Sequence, residues 1–360
     1  MHTAAAIPGT IPIAHCGPGC ADKQYTNLAF YNGFQGGGYG GGAVSPSVNA
    51  GEKEVVFGGN ERLEELIKAS LKILKRAKHP CFASGKPNNK GRIHLPVSPG
   101  CNIECQFCDR KINSTEQRPG VTIQILTPDE AVEVVRQSVA SMPEISVVGI
   151  AGPGDTLATP YALATFRLIN KEFPDLIKCM STNGLLLESM ADEVIDVGVS
   201  TLTVTVNDVF PETLSKICSR VRFAGKIYEG TEAAELLISK QLTGIKHVAQ
   251  AGMIVKVNTV LVPTINNNHI ETIAKTVAEC GALLYNIIPI IPVRGTAFDA
   301  VSACTCTEID DARRKAEKYI SVFRHCQHCR ADAIGVPGGI DYREQIYQNR
   351  ITQEQTFSHG

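Results

Sequence analysis

The chain has 360 residues, 43% of them apolar and 20% charged, which excludes a disordered or fibrous protein and suits one large globular domain or two ordinary ones. With 35 basic against 36 acidic side chains the formal net charge is -1, which gives no electrostatic footing for nucleic acid or an anionic membrane surface. No apolar run reaches about 18 residues, so no membrane span is expected, and Met1-His-Thr-Ala-Ala-Ala-Ile lacks the basic start and long apolar core of a signal peptide. The 13 cysteines therefore read as metal ligands or redox groups of a protein expected in a reducing, anaerobic cytoplasm rather than as a disulfide framework.

Residues 1–59 differ in texture from the rest. Pro12-Ile-Ala-His15-Cys16-Gly-Pro-Gly-Cys20 is dense in turn formers, and residues 33–42 are glycine-rich, a composition that suits a flexible or ligand-hugging loop. Asn60 can cap a helix in which Leu63, Leu66, Ile67, Leu71 and Leu74 recur at helical spacing. Residues 60–78 are thus expected to form a linking helix. The His-x-x-Pro-Gly-Cys run ending at Cys20 and Glu54-Val-Val-Phe-Gly-Gly59 resemble the start of a nitrogenase component 1 subunit. That resemblance implies a fused fragment or docking arm; in that family the cysteine ligates an iron–sulfur cluster.

From His79-Pro-Cys81 the chain changes character. Arg92-Ile-His-Leu-Pro-Val97 predicts a first strand. It feeds Ser98-Pro-Gly-Cys101-Asn-Ile-Glu-Cys105-Gln-Phe-Cys108, three cysteines at C-x3-C-x2-C spacing. Three thiolates on one loop hold three irons of a [4Fe–4S] cluster and leave the fourth open to a substrate or cofactor. The bland alternative is structural zinc, which usually takes four ligands in a closed tetrahedron, one more than this loop supplies. The spacing resembles the radical-SAM signature, which implies S-adenosylmethionine (SAM) on the open iron and its reductive cleavage.

Strands and helices then alternate. Thr127-Pro-Asp-Glu130 reads as a helix start continuing through 131–140. Strands are expected at 145–150, 176–180, 201–206, 253–262 and 283–288, and helices at 161–172, 186–197, 233–251 and 270–280. Such alternation predicts a parallel sheet. Six strands suggest a partial (β/α)6 TIM-like barrel of the α/β class, with a doubly wound open sheet as the other possibility. Polar and glycine residues at strand ends would face one mouth.

Candidate SAM-binding residues follow from that layout. Gly149-Ile-Ala-Gly152-Pro-Gly154-Asp155 ends the second strand, where glycines allow close backbone approach and a carboxylate can meet an ammonium group. Asn183, Thr205, Asn207 and Asn258 lie at other strand ends, each also readable as an ordinary turn or capping residue. Phe107 and Val260 complete the set. In the C-terminal part, Cys326-Gln-His-Cys329 is half a metal site, with Cys81 an available third ligand; an independent zinc or redox pair is the alternative.

Several runs make the resemblance narrower. His79-Pro-Cys81, Arg110-Lys111, Arg118-Pro-Gly-Val121, Ser181-Thr-Asn-Gly184, Val255-Lys-Val-Asn258, Pro292-Val-Arg-Gly-Thr-Ala-Phe298 and His325-Cys326 through Gly335 are similar to the NifB family of radical-SAM maturases over about 79–335, leaving 336–360 as a tail. The resemblance implies construction of the iron–sulfur core precursor of the nitrogenase cofactor from [4Fe–4S] clusters. It implies cluster donors and cofactor carrier proteins as partners. It also implies that Cys81, Cys326 and Cys329 hold one substrate cluster and that Cys179 is one ligand of another. The chain departs from the family at Pro263-Thr-Ile-Asn-Asn267, where the family has Pro-Gly-Ile-Asn-Asp, and at two places that supply cluster ligands. Lys86-Pro-Asn-Asn-Lys90 lacks the family's histidine, and Ile112-Asn-Ser-Thr115 lacks its cysteine. His94, Cys16, Cys20, Cys304 and Cys306 are possible stand-ins. The alternatives are a paralogue acting on another substrate and a non-catalytic cluster carrier or scaffold.

Overall fold

The computed structural model describes residues 78–82, 89–347 and 355–356, all within one compact unit, Ser70–Gly360. The expected N-terminal fragment and the helix capped by Asn60 lie outside the described residues.

In chain order the strands are β1 (Gly91–His94), β2 (Ile103–Cys105), β3 (Lys111–Ile112), β4 (Val121–Thr122), β5 (Ile145–Ile150), β6 (Ile177–Thr182), β7 (Val199–Thr205), β8 (Cys218–Phe223), β9 (Lys226–Glu229), β10 (Ile254–Leu261), β11 (Leu284–Pro289), β12 (Ile334–Gly335) and β13 (Gln355–Thr356). The helices are α1 (Pro128–Ser141), α2 (Tyr161–Glu172), α3 (Leu187–Asp196), α4 (Pro211–Ile217), α5 (Gly230–Gln250), α6 (Ile270–Glu279), α7 (Cys306–Ala316) and α8 (Arg343–Tyr347).

The main sheet has the order β11-β10-β7-β6-β5-β1-β12. Strands β1, β5, β6, β7, β10 and β11 pair in parallel in sequence order, the (β/α)6 partial barrel expected of the alternating pattern. Strand β12 adds antiparallel to β1, a seventh strand that the sequence reading lacked. The first strand is shorter than expected. Pro96 has no N–H to continue the ladder, so after Leu95 donates to Gly149 O at 2.9 Å the chain leaves the sheet. Helix α1 starts where its sequence dictates: Thr127 Oγ1 accepts from Glu130 N (3.3 Å) while Glu130 Oε2 accepts from Thr127 N (2.9 Å), a reciprocal cap ahead of Pro128.

The two faces of the sheet are chemically opposite. One face presents Ile93, Val148, Ile150, Met180, Leu202, Val204, Val255, Val257 and Ile287 to Val135, Leu163, Phe166, Val194, Ile245 and Ile273 of the covering helices. The alternate residues on the other face include Arg92, His94, Cys179, Ser181, Thr203, Thr205, Lys256, Asn258 and Asn286, and these line a cavity of about 380 Å³. A closed TIM barrel fills its centre with branched apolar side chains; this open sheet instead leaves a cavity into which polar side chains project beside apolar ones such as Phe82, Phe107 and Ile288.

Helix α5 crosses the start of α3 with no side chain between them at Gly244. A Cβ there would lie 2.9 Å from Glu188 N and from Leu187 Cβ. Gly244→Ala is therefore expected to destabilise the chain by about 1–3 kcal/mol, the usual range for overpacking. Urea denaturation measures this; an unchanged midpoint would contradict the packing described.

Candidate functional site

The three-cysteine loop leaves β1 and is pinned from two sides. On one side it clasps the turn after β5: Ser98 O accepts from Gly154 N at 2.6 Å and Gly100 O from Asp155 N at 2.8 Å. Arg110 Nη1 donates to Pro99 O. A Cβ on Gly154 would stand 2.1 Å from Gly100 O, so this close approach admits only glycine. Gly152 serves differently: it adopts φ +127° at the turn and does not line the cavity. On the other side β2 pairs with β8, setting Ile103 opposite Val221, Glu104 opposite Arg220 and Cys105 opposite Cys218. The β8–β9 hairpin was not read from the sequence. Its signal was Val221-Arg-Phe223 and Lys226-Ile-Tyr228 flanking Ala224-Gly225, and both turn residues have positive φ (49° and 75°), the conformation that two-residue hairpins require.

Cys101, Cys105 and Cys108 line the main cavity together. Burial pushes the Cys101 thiol up to about 12, with the Asp155 carboxylate adding to the effect. Contact with Cys218 and burial raise Cys105, and burial raises Cys108. In the metal-free chain these are therefore neutral thiols. Among the described residues no three His, Cys, Asp or Glu side chains converge on a point that would hold a single metal ion. Three thiols spread around a cavity instead fit a polynuclear iron–sulfur cluster, whose protein ligands are thiolates.

The candidate SAM-binding residues meet at the same cavity, Gly152 excepted. Asp155 is buried; its Oδ2 accepts from Thr182 Oγ1 (2.8 Å) and Asn183 N (2.6 Å), and its Oδ1 accepts from Leu157 N (3.1 Å). Burial raises this carboxyl above its ordinary range while the Asn183 and Thr182 donors pull it back. Asp155 thus fastens the end of β6 to the end of β5. The Asn183 amide donates to Asn102 Oδ1 at 2.6 Å and reaches Cys101 Sγ at 3.8 Å. Asn207 Oδ1 accepts from Val260 N at 3.0 Å, and Asn258 Oδ1 accepts from Asn286 Nδ2 at 3.1 Å. Thr205 O, with Asn183 O, is held by the Gln241 amide (2.8 and 2.7 Å). Phe107 and Val260 join one apolar cluster with Val262, Ile290 and Phe298, an apolar patch beside the cysteine loop.

A second cysteine group lines the other part of the cavity. Cys81, Cys179 and Cys326 pack against one apolar cluster of Phe82, Ile254, Leu284 and Phe323. Cys329 Sγ accepts from Arg92 Nη2 at 3.2 Å. Burial drives the Cys81 thiol up to about 12, with Cys329 and Cys179 near enough to contribute. Cys81 and Cys326, 245 positions apart, are thus brought onto one wall.

The two ligand departures have different fates. The histidine-free stretch lies largely outside the described residues. In the cysteine-free stretch, Asn113 is buried and does structural work: its Oδ1 accepts from Thr115 N (3.1 Å) and Glu116 N (2.9 Å), and its carbonyl accepts from Arg330 Nη2 (2.6 Å). Of the stand-ins, His94 lines the cavity. It sits in register with Gly149, which sits in register with Cys179, so no side chain separates the two. His94 Nδ1 lies 3.1 Å from Arg330 O, which fixes the proton there and leaves Nε2 bare; burial and the neighbouring Arg92 hold its pKa down to about 4. Cys304 instead turns to Leu261 O at 3.2 Å and is not among the cavity's lining residues.

The sign of the thiol shifts is testable. A raised pKa suppresses the thiolate, the reactive form. In the metal-free chain at pH 8, Cys81 and Cys101 are expected to alkylate slower, by on the order of 10³, than the same thiols in urea, with rates rising as pH climbs toward 12. Mass-spectrometric mapping of iodoacetamide labelling checks this; equal folded and unfolded rates would contradict it.

Comparison with known proteins agrees with this geometry. The Radical SAM superfamily profile matches residues 95–277. The chain is 45% identical over 260 residues to the FeMo cofactor biosynthesis protein NifB of Methanocaldococcus infernus, covering 72% of this chain and 85% of that one. It is 43% identical over 281 residues to the same-named protein of Methanocaldococcus jannaschii, covering 78% and 93%. Against that of Klebsiella pneumoniae it is 40% identical over 270 residues, covering 73% and 58%. The three-cysteine loop, the glycine turn clasping it and the open parallel sheet behind them are accordingly those of a member of the radical SAM superfamily, and within it the chain belongs to the NifB family.

Proposed function

We propose that this radical SAM enzyme works in FeMo cofactor biosynthesis, with a [4Fe–4S] cofactor on Cys101, Cys105 and Cys108 and an iron–sulfur cluster, as substrate, on Cys81, Cys326 and Cys329. The observation that supports this is the single cavity of about 380 Å³ shared by both cysteine groups. A product fused from iron–sulfur pieces requires that the reacting parts meet in one enclosed space.

Reductive cleavage of SAM to a 5′-deoxyadenosyl radical is the chemistry that the cofactor pair supplies when bound. The chain's own residues orient and protect. Cys101, Cys105 and Cys108 would hold the cluster from one loop that cannot shift without breaking the Gly100–Gly154 contact. Asp155 is a positioning residue: through Thr182 and Asn183 it holds the strand ends that line the cavity, where SAM would bind. The Asn183 amide, near Cys101 Sγ, helps fix the loop's orientation. Phe107 and Val260 offer an apolar surface that an adenine ring would cover, which would exclude water from that side of the cavity.

A second reading, an enzyme of this type working on one substrate cluster only, is favoured by Asn113. The place where the family supplies a thiolate is a closed turn held by Arg330, which leaves Cys179 with His94 as its nearest register partner of ligating type. Cluster donors and cofactor carriers of the nitrogenase assembly pathway are the partners this function calls for, in the reducing cytoplasm that exposed clusters need. The N-terminal 1–59 segment is their proposed docking arm. Among the described residues no helix is long and apolar enough to cross a membrane.

Replacing Cys101, Cys105 and Cys108 together by alanine is expected to abolish 5′-deoxyadenosine formation while iron persists elsewhere. Anaerobic reconstitution with iron and sulfide counting checks it: about four irons are lost per chain, from about twelve for three clusters or about eight for two. Undiminished SAM cleavage would overturn the assignment.

A further inference from the structure

The inner wall carries more positive charge than its acids balance. Lys256, on β10, is 6% exposed. Its Nζ donates to Cys81 O at 3.3 Å and lies 4.7 Å from the centre of the Phe82 ring and 5.2 Å from that of Phe323. Arg92, on β1, is 5% exposed. Its Nη1 donates to Gly335 O at 2.6 Å and its Nη2 to Cys329 Sγ at 3.2 Å, while its Nε has no partner. Among the described residues neither cation pairs with a carboxylate. Asp332, the acid near His94, is spent on Arg330 (2.9 and 3.0 Å) and on Ile123 N.

A buried cation without a counter-ion is strongly destabilising unless something anionic completes the site. Here the two cations flank Cys81, Cys179, Cys326 and Cys329. One ligand class answers both features: a polyanion with open iron positions for thiolates. We infer that Lys256 and Arg92 form an anion-holding pair that recruits an iron–sulfur cluster to Cys81, Cys326 and Cys329 and stabilises its reduced, more negative state. A bare divalent metal ion would be repelled by the same pair. Two rings against Lys256 supply interim stabilisation through their π faces, so the metal-free chain folds around the charge. This inference rests on the substrate-cluster site proposed above.

The test uses the full chain carrying Cys101→Ala, Cys105→Ala and Cys108→Ala, so that the remaining clusters are read alone. Lys256→Met removes the charge and keeps the length; Lys256→Arg keeps the charge. In K256M the thermal midpoint of the metal-free chain should rise, the apparent affinity for reconstituted iron and sulfide should fall at least tenfold, and the cluster's reduction potential should fall. A tenfold change in a one-electron equilibrium is about 59 mV. K256R should restore binding and potential. Unchanged iron content and potential in K256M would overturn the inference, as would a lowered metal-free midpoint, which marks a merely structural lysine. If the parent triple variant binds no cluster, the proposed substrate site falls and the inference with it; if the parent binds one and K256M matches it, only the inference falls.

Discussion

A parallel sheet is normally apolar on both faces because helices or barrel contents cover both. In this chain the helices take one face and the other is left to Cys179, Ser181, Thr203, Thr205, Lys256, Asn258 and Asn286. That asymmetry is the constraint from which the rest follows. A polar inner face cannot be packed shut with side chains, so the sheet stays open and a cavity remains. Its polar groups satisfy one another in part, as Asn286 does with Asn258, and the remainder is left for what enters. Stability comes from the other face, where strands and helices share one continuous apolar core.

The cysteine loop is rigid for backbone reasons more than side-chain ones. Glycine at 154 lets the turn after β5 touch the loop's own backbone, and β2 borrows a hydrogen-bonding edge from the β8–β9 hairpin. A cluster held by three thiolates depends on such support, because the thiols alone are unfavourable as anions in a dry wall. Burial of Cys101 and Cys108, and contact with Cys218 together with burial for Cys105, disfavour the thiolates, so metal loading must displace protons. Cys218, directly across from Cys105, is a close neighbour of a proposed ligand that motif spacing did not single out.

Local features were legible in the sequence. The cysteine spacing, the capped start at Thr127, the glycine turn before Asp155 and the alternation of strands and helices all stand at or near the expected positions, because each depends on short-range chemistry. What was hidden depends on pairing across long separations. Alternation along 253–262 already sets Lys256 and Asn258 on one face and Val255 and Val257 on the other, but nothing local reveals that the polar face lines a cavity shared with Cys81 and the cysteine loop. Strand β12 is two residues long and exists only because β1 offers it an edge. Asn113 looks like a missing cysteine in sequence; its bonds to Thr115 N and Glu116 N close the turn, and Arg330, more than two hundred positions away, ties that turn into the framework.

The central claim is that two groups of cysteines place two iron–sulfur clusters in one cavity. Pulsed electron paramagnetic resonance on the anaerobically reconstituted and reduced chain tests it most directly. If both clusters face one cavity, their spins must couple, and each cluster's relaxation will be faster in the chain that carries both than in a chain that carries one. Spectra that simply add, with no mutual broadening and no change in relaxation, would place the clusters apart and contradict the account.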